Sequence, residues 1–241
     1  MGTPATATIR FERPDGGACH GWYAGAEAGA RAPGVVVIQE WWGLNEQIKG
    51  VAGRLAGLGY RVLVPDLFRG KVTLDEAEAN HLMTNLDFVD AATQDIRGAV
   101  RHLKEASPRV AVLGFCMGGA LAVLAAVHTP EADAVCTWYG CPPLELVDAA
   151  RLRGKAFQGH FANRDDFFPP DQIDGLEAKL TDAGVEGDFF RYDAAHAFGN
   201  ETGASHDPDA AREAWARTTA FLASALRNTG AGDAAPGRAS R

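Results

Sequence analysis

The 241-residue sequence predicts an α/β fold with a mostly parallel central sheet and helices on both faces. Three features point there. Short runs that are apolar at every position recur along the chain, stretches of helical period alternate with them, and the chain opens on a pattern of a different kind. Runs without polar alternation suit strands covered on both sides, the situation of a parallel sheet clothed by crossover helices. The opening is instead two β-like pieces, residues 6–11 with alternating polarity and 19–23, separated by the turn cluster Pro14-Asp15-Gly16-Gly17. This predicts an antiparallel hairpin.

The alternation then runs in order. A strand over 35–38 is followed by a helix carrying Ile48, Val51, Leu55 and Leu58, and a strand over 60–64 by a helix carrying Ile96, Ala99, Val100 and Leu103. A strand over 110–113 leads through Cys116 into a helix of small residues over 118–128. Strands near 134–139 and 155–161, a helix over 172–183, a strand over 188–192 and a last helix over 208–226 complete the pattern. Residues 72–90 fit a helical period at Leu74, Leu82, Leu86 and Val89, although turn formers interrupt it; a mobile segment over the sheet is the alternative. With no break in composition, residues 1–227 read as one domain. Residues 228–241, rich in Gly and Ala and without a large apolar group, read as a disordered tail.

Composition narrows the function. With 23 Lys and Arg against 31 Asp and Glu the net charge is −8, and no block of five basic residues occurs. Neither nucleic acid nor an anionic membrane is expected as a partner. The longest apolar stretch, 120–127, is far below the ~20 residues of a membrane span, and no secretory signal opens the chain. Cys19, Cys116, Cys136 and Cys141 show neither zinc nor C-x-x-C spacing, so a reducing cytoplasm is the expected compartment. Met1-Gly2 with Thr6 and Asn200-Glu201-Thr202 match acylation and glycosylation patterns that are short enough to arise by chance.

The richest stretch is Val110-Ala-Val-Leu-Gly114-Phe115-Cys116-Met117-Gly118-Gly119, an apolar strand passing through G-x-C-x-G-G into a helix. A sharp strand-to-helix turn needs small residues on both sides of its central nucleophile, since larger side chains collide with the neighbouring strand and helix. The helix N-terminus beside Cys116 favours thiolate and offers a backbone N–H to a developing oxyanion. A cysteine nucleophile needs a base, and the base needs an orienting group. From such an elbow these follow in the order nucleophile, acid, histidine on loops at successive strand ends. Asp165 and Asp166 follow the strand ending near Phe161, and His196 follows the strand ending near Tyr192. Only one of the two acids can be the orienter; Asp165 is preferred. Cys19, Cys136 and Cys141 read as buried small hydrophobes. His20, His81, His102, His128, His160 and His206 read as surface or satisfied core residues, with His206 the nearest rival base.

Four motifs in order now resemble one family, the dienelactone hydrolases of the α/β-hydrolase superfamily: Gln39-Glu-Trp-Trp-Gly-Leu-Asn45, Pro65-Asp-Leu-Phe-Arg-Gly70, Gly114-Phe-Cys-Met-Gly-Gly119 and Ala195-His-Ala-Phe198. The similarity runs from about residue 8 to 226. The resemblance implies an α/β-hydrolase fold and a Cys116–His196–Asp165 triad that attacks the carbonyl of an enol-lactone or small ester, with no metal or organic cofactor. It implies that Glu40 holds and helps activate the resting thiol, and that the N–H groups of Trp41 and Met117 form the oxyanion hole. It also implies that two arginines grip a substrate carboxylate. Arg69 is the expected first; the second position is Asn200, and a neutral amide cannot replace a bidentate charged clamp. Trp41, Trp42, Phe167, Phe168 and Phe198 are expected near an aromatic-walled pocket, with Trp42 and Phe198 among the substrate contacts. The expected partner is a small lactone or ester, met by a monomer or homodimer. The alternatives are an esterase or thioesterase of broad specificity without a dienelactone preference, a non-catalytic ligand-binding relative, and a redox-sensing thiol protein, for which no resolving cysteine is evident.

Overall fold

The structure is a computed structural model that describes residues 5–25 and 31–227; the expected tail over 228–241 lies outside the described residues. Eight strands form one sheet in the order β1-β2-β4-β3-β5-β6-β7-β8. The opening hairpin is β1 (Thr6–Glu12) paired antiparallel with β2 (Ala18–Ala24), and β2 runs antiparallel to β4 (Arg61–Pro65). From β4 onward every pairing is parallel, through β3 (Gly34–Ile38), β5 (Val110–Phe115), β6 (Ala134–Trp138), β7 (Ala156–Arg164) and β8 (Gly187–Ala195). Strand order jumps between β3 and β5, so their carboxyl ends flank the crevice where open parallel sheets place their ligands.

The residues of β3 show why continuous apolar runs were the right signal. Val35 and Val37 point into one core cluster with Ile48, Val51 and Leu55 of α1 (Glu46–Gly57) and Leu222 of α7 (Pro208–Ala225). Val36 and Ile38 point into the other, with Leu103 of α4 (Arg97–Lys104), Leu121 of α5 (Met117–His128) and Leu176 of α6 (Pro170–Asp182). All five β3 residues are buried, because period-2 alternation sends neighbours to opposite faces and both faces are covered.

Residues 72–90 contain α2 (Glu76–Thr84), capped by Asp75 accepting from the Glu78 N–H, and then α3 (Phe88–Asp90), capped by Asp87. The helical reading of this segment therefore holds, with the turn formers serving as caps. A π-helical turn over Ala91–Ile96 joins α3 to α4. It carries the buried Asp95, an acid that sequence reading did not single out. Among the described residues no helix is long and apolar enough to cross a membrane.

Candidate active site

Cys116 sits between β5 and α5 with φ 54° and ψ −122°, a left-handed backbone that a non-glycine residue adopts at a cost of order 1–3 kcal/mol. The surroundings hold it there. Its N–H donates to the Trp138 carbonyl at 3.0 Å, and its carbonyl accepts from Gly119 and Ala120 at 2.8 and 3.1 Å. The flanking glycines are sterically required: a Cβ on Gly114 would stand 1.9 Å from the Gly118 carbonyl oxygen, and one on Gly118 would stand 2.4 Å from that of Gln39. Gly140 makes the same close approach, 2.2 Å from the Cys116 carbonyl oxygen, a packing requirement that the sequence alone did not reveal.

His196 follows β8 and places Nε2 3.1 Å from Cys116 Sγ, while its Nδ1 lies 2.8 Å from Asp165 Oδ2. The other Asp165 oxygen accepts the N–H groups of Phe167 and Phe168, each at 2.9 Å. Asp165 is buried; Asp166 is exposed and makes none of these contacts. The choice left open between the two acids is thus decided by geometry. His206, the rival base, turns its Nδ1 to the Phe198 carbonyl at 3.0 Å and lies outside the cavity onto which Cys116 opens. His160 is a satisfied core histidine, bonded to Tyr192, Gln158 and Thr218 at 2.9 to 3.0 Å; burial lowers its pKa to about 3. Cys19, Cys136 and Cys141 are buried, and burial pushes each thiol up to about 12.

Burial likewise raises Cys116 well above the usual thiol range; Glu40 and Asp165 add to this, and the Met117 N–H beside the sulfur works against it. Burial thus favours the protonated sulfur, and the neighbouring imidazole is the group placed to take its proton. Glu40, buried two residues past the end of β3, directs its hydrogen bonds to other groups than the thiol. Its Oε1 accepts from the Tyr139 hydroxyl at 3.1 Å and its Oε2 from Asn200 Nδ2 at 2.6 Å. Burial raises its carboxyl pKa despite both bonds, so the uncharged form is favoured relative to a solvated glutamate. Sequence reading missed Tyr139, whose positive φ of 39° aims it across the site. Asn200, the expected position of the second clamp residue, lines the cavity, but its side chain is buried and its amide is bound to Glu40. The acceptor residue of the sequon, Asn200, is accordingly buried, although Glu201 and Thr202 are exposed.

Beside the triad lies a cavity of about 490 Å³, lined by Glu40, Trp41, Trp42, Cys116, Met117, His196 and Asn200 together with Phe167, Phe168, Glu76, Met83 and Phe88. Trp41 packs edge-on to Trp42 at 5.1 Å and to Phe167 at 6.2 Å, and Phe167 lies 4.8 Å from the His196 ring. Two expected substrate contacts are elsewhere. Phe198 is a core residue, fully buried against Trp138, Tyr139 and Tyr192. Arg69 does not line the cavity; its guanidinium is spent on Asp95 at 2.7 Å, the Asp66 carbonyl at 3.0 Å and Cys19 Sγ at 3.2 Å. The reason is the buried Asp95 on the π turn, a carboxylate that needs cationic partners and takes Arg69 at 2.7 Å and Arg13 at 3.5 Å. Among the described residues no cluster of His, Cys, Asp and Glu is arranged to hold a metal ion.

Comparison with known proteins places this geometry. A profile of the Dienelactone hydrolase family matches residues 21–226. The chain belongs to that family. It is 33% identical over 226 residues to "Protein usf" of Aquifex pyrophilus, covering 89% of this chain and 96% of that one. It is 31% identical over 207 residues to a "Putative carboxymethylenebutenolidase" of Aquifex aeolicus, covering 81% and 89%. Among solved structures, the crystal structure of a "Putative Dienelactone Hydrolase" from Klebsiella pneumoniae superposes with a TM-score of 0.79 at 25% identity, covering 91% of this chain and 99% of that one. The fold of this dienelactone hydrolase-like protein is the α/β-hydrolase fold, an assignment its elbow, strand order and antiparallel start all share.

Proposed function

We propose that this protein hydrolyses small carboxylic esters or lactones, with dienelactone as the family's reference substrate, through a thioester on Cys116. One observation carries the reading: an unbroken line of contacts from Cys116 Sγ through His196 to the buried Asp165, opening onto a cavity. Asp165 accepts a proton-bearing Nδ1, which leaves Nε2 with a lone pair toward the sulfur. In the first half-reaction the thiol proton passes to Nε2 as the sulfur–carbon bond forms and the carbonyl electrons move onto oxygen. The N–H groups of Trp41 and Met117 are assigned to that oxyanion. As the carbonyl re-forms, the ester or ring oxygen leaves and takes the proton from His196. In the second half-reaction water attacks the thioester, gives its proton to Nε2, and the carbon–sulfur bond breaks as the sulfur is reprotonated. The sum is ester plus water to acid plus alcohol, or lactone plus water to the ring-opened hydroxy or keto acid.

The depressed acidity of the thiol suits this order of events, because a neutral sulfur is quiet until a carbonyl is in place and the imidazole can accept its proton. The role of Glu40 is to form the wall of the site between Tyr139 and Asn200, both of which donate to its carboxyl group. The test is Cys116→Ala with p-nitrophenyl esters and dienelactone as substrates. Turnover is expected to vanish while circular dichroism and melting are retained; unchanged hydrolysis by that variant overturns the proposal.

A further inference from the structure

We infer that this site selects uncharged substrates whose cavity-filling part is hydrophobic, and discriminates against carboxylate-bearing ones, dienelactone included. The inference rests on the hydrolytic reading of the site and narrows its substrate class. Its observations are independent of the triad. Among the described residues lining the cavity there is neither Lys nor Arg. The one arginine expected to bind a substrate carboxylate, Arg69, lies outside the cavity and is tied at 2.7 Å to Asp95, a carboxylate buried to 1% exposure that it shares with Arg13 at 3.5 Å. The position expected to carry a second arginine is Asn200, and its amide is committed to Glu40.

What lines the cavity instead is Trp41, Trp42, Met83, Phe88, Phe168 and Pro143, with Glu76 the charged side chain contributed by α2. A carboxylate entering such a space loses water and meets no cation, and it approaches a charge of its own sign at Glu76. A hydrophobic ester loses only apolar hydration, which is a gain. A volume of about 490 Å³ falls within the ordinary range for small-molecule sites, ~300–1,000 Å³, so the limit set here is charge and polarity more than size.

The experiment uses the full chain and two matched chromogenic esters, p-nitrophenyl heptanoate and p-nitrophenyl monoadipate, with each kcat/KM divided by the ester's own hydroxide rate. The heptanoate is expected to be preferred by at least about tenfold, as the absence of one charge-assisted hydrogen bond implies. Dienelactone and its methyl ester are expected to rank the same way, the ester faster. Glu76→Lys is expected to raise the adipate-to-heptanoate ratio about threefold or more at low salt, with the gain shrinking near ~0.5 M salt as exposed charges are screened. Equal rates within each pair, or a preference for the anion, overturn the inference. A separate readout does not need turnover: protection of Cys116 from iodoacetamide by heptanamide against protection by the monoamide of adipate. Stronger protection by heptanamide supports the inference, and equal or weaker protection overturns it, even if neither ester is hydrolysed and the catalytic reading has failed.

Discussion

Replacing Asp165 by Asn changes one group on one side chain, yet the geometry predicts a large and specific loss. Oδ1 accepts two backbone N–H groups, from Phe167 and Phe168 at 2.9 Å each, and Oδ2 faces His196 Nδ1 at 2.8 Å. An asparagine must keep its oxygen on the two N–H donors, because turning its NH2 toward them would set donors against donors. The NH2 then faces Nδ1, forces that nitrogen to accept, and leaves the ring proton on Nε2, pointing at the sulfur. The imidazole can no longer take the thiol proton. The expected loss is about 10³–10⁴-fold in kcat, the scale seen when a triad histidine is held in the wrong tautomer, or roughly 4–5 kcal/mol of barrier. Stability should move little, about 1 kcal/mol, since the loop keeps both backbone bonds. Asp165→Ala should cost more stability, about 1–3 kcal/mol, by orphaning those two N–H groups. The assay is kcat and KM on a neutral p-nitrophenyl ester, urea unfolding, and the second-order rate of iodoacetamide on Cys116. If the Asn variant keeps more than about a tenth of wild-type kcat while Asp166→Asn is the impaired one, the assigned orientation of His196 is wrong.

Other outcomes follow from the elbow and the core. Gly118→Ala would press a Cβ to 2.4 Å of the Gln39 carbonyl oxygen and 2.6 Å of that of Ile38, so the end of β3 must shift and carry Glu40 and Trp41 with it. A stability loss of about 1–3 kcal/mol is expected, with a fall in kcat; Gly53→Ala, where nothing lies within 4 Å of the added Cβ, should be neutral or stabilising by up to about 1 kcal/mol. His160 supplies a pH dependence. Its folded pKa is lowered to about 3 from the ordinary histidine value of 6.5, so the unfolded chain binds the extra proton and stability is lost as pH falls below about 6.5, down to about 3. From pH 7 to pH 4.5 this is about 2–3 kcal/mol. His160→Gln should flatten that part of the curve in urea titrations at the two pH values, and an unaltered slope would show that the ring is solvated.

How much of this could be read from residues alone depended on whether the signal was local. The strands over β3 and β5 and the helices α1 and α7 were legible because burial on two faces writes continuous apolar runs and a 3.6-residue period directly into the chain. The elbow was legible for a similar reason: Gly114, Gly118 and Gly119 are required by contacts made within a few residues of Cys116 or with the adjoining strands. Strand ends were less so. The strand over 155–161 continues to Arg164, with a register irregularity at Ala162/Arg164, and the strand over 188–192 reaches Ala195.

The order of Cys116, Asp165 and His196, the alternating layers and the antiparallel start were determined by the sequence by itself, because each is a pattern of residue types along the chain. Which acid meets His196, and what Arg69 and Glu40 touch, was decided only by tertiary structure. Asp165 and Asp166 are chemically the same, and only the direction of the loop after β7 buries one and exposes the other. Arg69 looked available until the fold brought Asp95, 26 residues away, beneath it, and Glu40 acquired Tyr139 and Asn200 from 99 and 160 residues away. A buried charge or carboxyl must take the partner that space provides, and that space is built by parts of the chain that no local pattern connects.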